Sequence, residues 1–97
     1  MSARIERIRA RLEKALEPLH LELFDDSAAH AGHAGAKQSG GGHFSAIIVA
    51  EPFAGQSLVA RHRLVYQALG DLMQTDIHAF SMKAYAPDEF DRIENRQ

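Results

Sequence analysis

Residues 25–42, DDSAAHAGHAGAKQSGGG, are small, polar and glycine-rich, with no apolar periodicity. Such a stretch has no face to bury, so any core must come from the segments on either side of it. Loops of this length inside a compact domain are usually functional or disordered. Residues 28–42 are therefore expected to be mobile without a partner, since Ala and Gly give them little to pack. A chain of 97 residues builds a single small core. The expected organisation is one domain over residues 1–90, with a polar C-terminal tail at 91–97.

The flanking segments change period in a telling order. Ile5, Ile8, Leu12 and Leu16 recur at steps of three and four, which predicts an amphipathic helix over residues 3–16. Ser2 can cap it and Pro18 stops it. Leu19, Leu21 and Leu23 then alternate with His20, Glu22 and Phe24, a strand with one apolar face. Beyond the loop, His43 to Ala50 (HFSAIIVA) reads as a strand buried on both faces or nearly so. With no crossover helix between them, these two strands pair antiparallel.

Pro52 and Gly55 mark a turn, and Ser57 can cap the next helix. Its expected stripe is Leu58, Val65, Leu69 and Leu72, widened by Tyr66 and Met73, running to about residue 73 with a break near Arg61. A third strand, Ile77 to Tyr85 (IHAFSMKAY), follows that helical crossover and so pairs parallel with the second. Pro87 opens a short last helix. The expectation is an α+β fold of order αββααβα, a three-stranded mixed sheet with helices packed on it.

Charge and cysteine content remove several classes of function. Eleven Lys and Arg against thirteen Asp and Glu leave a formal charge of −2, whereas a dedicated nucleic-acid-binding domain is normally clearly basic. No apolar run approaches the roughly 18 residues a membrane span needs, and the first residues have no apolar signal core. Glu6 and Glu13 interleave with the arginines of the first helix, which argues against a transit peptide; a cytoplasmic location is expected. The absence of cysteine excludes disulfides, thiolate metal sites and thiol nucleophiles. Six histidines in so short a chain are the unusual feature, because imidazole is the commonest protein metal ligand.

Taken in order, DDSAAH at 25–30, HF at 43–44, VAEPFAG at 49–55, RHRLVY at 61–66 and IHAFS at 77–81 resemble the BolA family over roughly Ile5 to Phe90. No single piece is diagnostic; in this order and at this spacing they are strong. Departures from the usual pattern at Ala50, Phe80, Ala86 and Phe90 fall at packing or turn positions. The resemblance implies a three-stranded sheet related to the type II KH fold. It also implies two kinds of function: partnership with a monothiol glutaredoxin around a shared [2Fe–2S] cluster, in iron–sulfur trafficking or iron regulation, or transcriptional regulation through DNA binding.

The histidines divide accordingly. At the mouth of a strand His78 alone would be an ordinary half-exposed side chain, but the resemblance places the family's C-terminal histidine and cluster ligand there. His30 matches the DxSxxH position at which histidine-type members carry a second ligand. His33, three residues on, is the substitute, and His30 is preferred. His43 also matches a family position and reads as structural support at the start of a strand, with ligation the lesser alternative; His62 reads as a partly buried core residue, and His20 as exposed and idle. One iron of a [2Fe–2S] core can take two imidazoles if thiolates hold the other. This chain has imidazoles and no thiolates, so a glutaredoxin with bound glutathione would have to complete the cluster. A mononuclear zinc site from His30, His33, His78 and a carboxylate is the alternative, on weaker grounds.

Arg61, Arg63 and Lys83 form the candidate nucleic-acid or partner surface. A KH domain grips nucleotides through a GxxG loop, and here the matching turn is Phe53-Ala54-Gly55-Gln56, with one glycine. DNA binding is therefore the second reading. The Gly40–Gly42 run lacks a following Lys-Ser/Thr and opens no helix, so it is no phosphate loop. Neither a Ser–His–Asp arrangement nor a carboxylate pair suggests an enzyme. Alone, the chain is expected to be a monomer or weak homodimer.

Overall fold

The computed structural model describes residues 3–26 and 42–94. Helix α1 spans Ala3–Leu16 and buries Ile8, Leu12 and Leu16, the expected stripe. It ends where Glu17 turns into the left-handed region (φ 48°) ahead of Pro18, with the Glu17 amide still donating to the Glu13 carbonyl. Strand β1 (His20–Asp25) pairs antiparallel with β2 (Gly42–Val49). After β2, a 3-10 turn at Glu51–Phe53 drives Phe53 fully into the core.

Helix α2 (Leu58–Leu69) starts at Ser57, whose hydroxyl accepts from the Ala60 amide. A short helix α3 (Leu72–Thr75) leads into strand β3 (Ile77–Tyr85), which pairs parallel with β2. Helix α4 (Pro87–Glu94) closes the described chain. The sheet order is β1-β2-β3, and the element order is the αββααβα expected.

One face of the sheet makes the core. Leu21 and Leu23 of β1, Phe44, Ala46 and Ile48 of β2, and Phe80, Met82 and Ala84 of β3 meet Ile8, Leu12 and Leu16 of α1 and Val65 and Leu69 of α2. The opposite face is not closed in the same way. On β2 burial alternates strictly from Gly42 to Ile48, with His43, Ser45 and Ile47 half-exposed. The expectation that β2 is buried on both faces or nearly so is thus corrected: its outer residues His43, Ser45 and Ile47 face a shallow open groove. Only the far end is covered. His20, Val49 and Tyr85 lie in one row across the three strands. Phe90 of α4 stacks on His20, with ring centroids 5.1 Å apart, and packs on Tyr85 at 5.9 Å. His20, expected to be idle, therefore helps seat α4, and its Nε2 also meets the Glu22 carboxylate.

Helix α2 corrects the sequence reading in two places. There is no break near Arg61; the chain breaks at Gly70, whose φ of 55° favours glycine and whose amide donates to the Tyr66 carbonyl. A Cβ at that position would also lie 3.3 Å from Nη1 of Arg11. The buried stripe is Arg61, Val65 and Leu69, while Leu58 is 67% exposed and Tyr66 lies largely outside. An arginine fills the position that periodicity assigns to an apolar residue.

Arg61 is 6% exposed and fully engaged. Its Nε donates to the Gln56 carbonyl at 3.0 Å and its Nη1 to the Ala84 carbonyl at 2.9 Å. Both terminal nitrogens meet the Glu89 carboxylate, at 2.7 and 3.0 Å. Glu89 in turn accepts from the Ala86 amide at 2.8 Å, capping α4. These contacts, the Arg61 hydrogen bonds first, hold the Glu89 carboxyl down at about 2.

Expected residues at the two margins are accounted for as follows. Ser2 and most of the 28–42 loop lie outside the described residues, although Gly42 already belongs to β2. The last helix runs to Glu94, past the boundary expected at residue 90.

Two predictions follow from this packing. Leu12→Ala should lower the unfolding free energy by about 2–5 kcal/mol. A chelator should leave the parent's denaturation midpoint unchanged, because none of these core residues depends on a metal. In a second experiment, Arg61→Ala should cost about 1–3 kcal/mol, since the Ala84 carbonyl loses its donor in the interior while Glu89, 38% exposed, can turn to water. Stability of the parent should also fall as pH drops from 4.5 to about 2, since a carboxyl with a depressed folded pKa stabilises only while ionised. Thermal melts across that window, with Glu89→Gln showing a shallower decline, check the sign.

Candidate functional site

The β2/β3 ladder carries one irregularity. Gly42 pairs with Ile77 and His43 pairs with Ala79, so His78 is the extra residue of a bulge. Strict alternation would send His78 to the same side as Phe80, into the core. The bulge instead turns it outward, where it is exposed and its ring centroid lies 5.1 Å from that of His43 at an interplanar angle of 50°. Two imidazoles from adjacent strands thus share one end of the open sheet face.

That end is held firmly. The Gly42 amide donates to the Asp76 carbonyl at 3.0 Å, one residue before β3. The Asp76 carboxylate accepts from the Thr75 hydroxyl at 2.7 Å and from Nε of Arg7 on α1 at 2.7 Å. Those two contacts keep its carboxyl below the ordinary aspartate range. On the other side, the Asp26 amide donates to the His43 carbonyl at 2.7 Å, and the Ser45 hydroxyl to the Asp26 carboxylate at 2.9 Å. Both described ends of the 27–41 segment are therefore stitched to the strand pair that bears the histidines.

Two shallow depressions run along the outer face from this end. One, of about 180 Å³, is lined by Asp26, His43, Ala79 and Ser81 among others. The second, of about 270 Å³, continues past Ser81 to Phe24, Ile47 and Lys83. Ser81 lines both, so they form one groove.

Of the residues singled out from sequence, His78 stands in the open beside His43, which the sequence ranks as support first and ligand second. His30 and His33 lie outside the described residues. Among the described residues no group of three or more His, Cys, Asp or Glu side chains is placed to hold a metal ion. His62, half-buried, packs edge-on against Tyr66 with centroids 6.4 Å apart.

The basic surface does not assemble. Arg61 is withdrawn into its pair with Glu89, Arg63 is exposed on α2, and Lys83 lines the groove on the opposite face of the sheet. The expectation of a surface built on Arg61, Arg63 and Lys83 is corrected on that ground. The signal available in sequence was the arginine's place in the buried stripe, four residues before Val65. The His43–His78 pairing had no signal, because a bulge reverses the side on which alternation places a residue.

Comparison with known proteins agrees with this architecture. A model of the BolA-like protein family matches residues 12–89. SufE-like protein 1 of Arabidopsis thaliana is 45% identical over 93 residues, covering 92% of this chain and 25% of that protein. The DNA-binding transcriptional regulator BolA of Escherichia coli is 31% identical over 90 residues, covering 93% of this chain and 82% of that protein. The solved BolA domain of SufE1 from Arabidopsis thaliana superposes with a TM-score of 0.79 at 45% identity, covering 92% of this chain and 98% of the domain. This chain belongs to the BolA-like family. It spans a quarter of the length of the plant relative whose BolA domain it resembles. Among the described residues no helix is long and apolar enough to cross a membrane.

The clamp beneath the bulge yields a prediction. Asp76→Ala should destabilise the fold by about 1 kcal/mol, the net worth of hydrogen bonds whose other partners, Arg7 and Thr75, are exposed and can turn to water. It should also loosen the strand ends beside His78, seen as faster amide hydrogen exchange at Gly42 than at Ile48 relative to the parent.

Proposed function

We propose that this chain is a non-enzymatic BolA-like adaptor that docks on a monothiol glutaredoxin and lends imidazoles to a shared [2Fe–2S] cluster. The observation that carries the reading is His78, turned outward by a bulge and exposed at a rigid strand end. The donor set suits such a group in part: imidazole nitrogens are present, and a chain without cysteine cannot supply thiolates. A glutaredoxin with bound glutathione would bring the sulfur ligands the chain lacks. The bound cluster would supply iron and sulfide in a redox-active form. This chain's part is to fix one nitrogen donor on the sheet and to offer a second nearby.

His30 follows Asp26 by four residues, and four residues span at most about 14 Å. Asp26 itself lines the depression beside His43, so covalent reach permits the loop histidine to meet His78. His33, three residues further on, can substitute. A site of this kind combines a ligand fixed on the sheet with one supplied from the 27–41 segment.

DNA-binding regulation is the second reading, favoured by the name of the Escherichia coli relative. The separation of Arg63 from Lys83 and the burial of Arg61 weigh against it here. Binding to duplex DNA would have to fall steeply with added salt.

Mixing the chain with a monothiol glutaredoxin, iron, sulfide and glutathione should give a visible spectrum distinct from that of the glutaredoxin alone. His78→Ala should abolish that spectrum. His30→Ala should only weaken or alter it, and the double change with His33→Ala should match the loss at His78. An unchanged spectrum in His78→Ala would remove the ligand assignment and move the DNA reading to first place.

A further inference from the structure

We infer that His43 and His78 form a preformed two-imidazole site able to bind one divalent transition-metal ion, such as zinc, without the 27–41 loop and without a partner protein. It rests on the reading of His78 as a ligand and adds His43, which the sequence ranks only second as a ligand and the comparisons do not assign. A zinc ion ligated at about 2.0–2.1 Å by one nitrogen of each ring lies roughly 3.2 Å from each ring centroid. At a tetrahedral angle of about 109°, two such centroids stand roughly 5.2 Å apart. The rings of His43 and His78 are 5.1 Å apart.

Three features support the match. The bulge brings His78 to the side of His43, and bulges recur where a strand must re-aim a side chain. Both histidines stand on paired strands, so little ordering entropy opposes chelation. The Asp26 carboxylate shares the depression with His43 and adds negative charge close by, although it is already held by Ser45. With two protein ligands, two positions stay open for water or for donors from another molecule. A half-site of that form matches the proposed partnership and does not require it.

The test is calorimetric titration of the full chain with zinc alone at neutral pH, with amide NMR shifts locating the ion. The parent should bind one zinc, with the largest shifts at His43, His78 and Ala79. His43→Gln and His78→Gln should each weaken binding at least tenfold, while the double change His30→Ala with His33→Ala leaves it within a factor of three. His43→Asn serves as a second variant should His43→Gln unfold, and circular dichroism confirms the fold of each. The inference is overturned if the parent binds no zinc, if His43→Gln and His43→Asn bind as the parent does, or if the His30/His33 double loses binding. Failure here, with a His78-dependent glutaredoxin spectrum intact, would remove His43 as a ligand and leave the proposed function standing.

Discussion

Arg61 is the interaction through which the separate segments of this fold are fastened together. It is the buried cation among the described residues, and its five-donor fork reaches the turn before α2, the end of β3 and the first turn of α4. A charge so placed is tolerable because every contact is a charge-assisted or backbone hydrogen bond, and no buried side-chain nitrogen or oxygen among the described residues lacks a partner. Lysine could not reproduce this: a point charge cannot meet a carboxylate with two parallel bonds and two carbonyls besides. Glu89 answers the fork and caps its own helix with the same carboxylate.

That fastening decides which face of the sheet stays open. Anchored by Glu89, α4 swings over the row of His20, Val49 and Tyr85 and seals it with Phe90. The remainder of the outer face, from Ile47 to the histidines, is left as a groove. The sheet is therefore covered on its outer face at the C-terminal ends of β2 and β3, while their N-terminal ends carry the candidate site. A second clamp, Arg7 on Asp76, braces that other end from the core side. Between the two, the strand pair is held at both ends by ion pairs and in the middle by Phe44, Ala46 and Ile48.

The bulge and the clamp beneath it matter most for the proposed function, because they fix a donor on the sheet. On the proposed reading, His78 on its braced bulge would set where the metal must sit.

The sequence by itself determined the order of elements, the mixed sheet and most of the core. Those follow from period: Ile8, Leu12 and Leu16 on a helix, Leu21 and Leu23 on a strand, a helical crossover that makes β3 parallel to β2. Local patterning is enough there because burial of apolar side chains is insensitive to fine geometry. It also drew attention to His78, through spacing that resembles a family. What only the tertiary structure decided are the features that break the pattern. Arg61 occupies an apolar slot because Glu89, 28 residues away, is there to meet it. β2 has an open face because α4 covers only its end. His43 and His78 share a side because one residue of β3 is left unpaired, and a one-residue shift in a strand reverses inside and outside. Each depends on contacts between distant segments, which no local periodicity encodes.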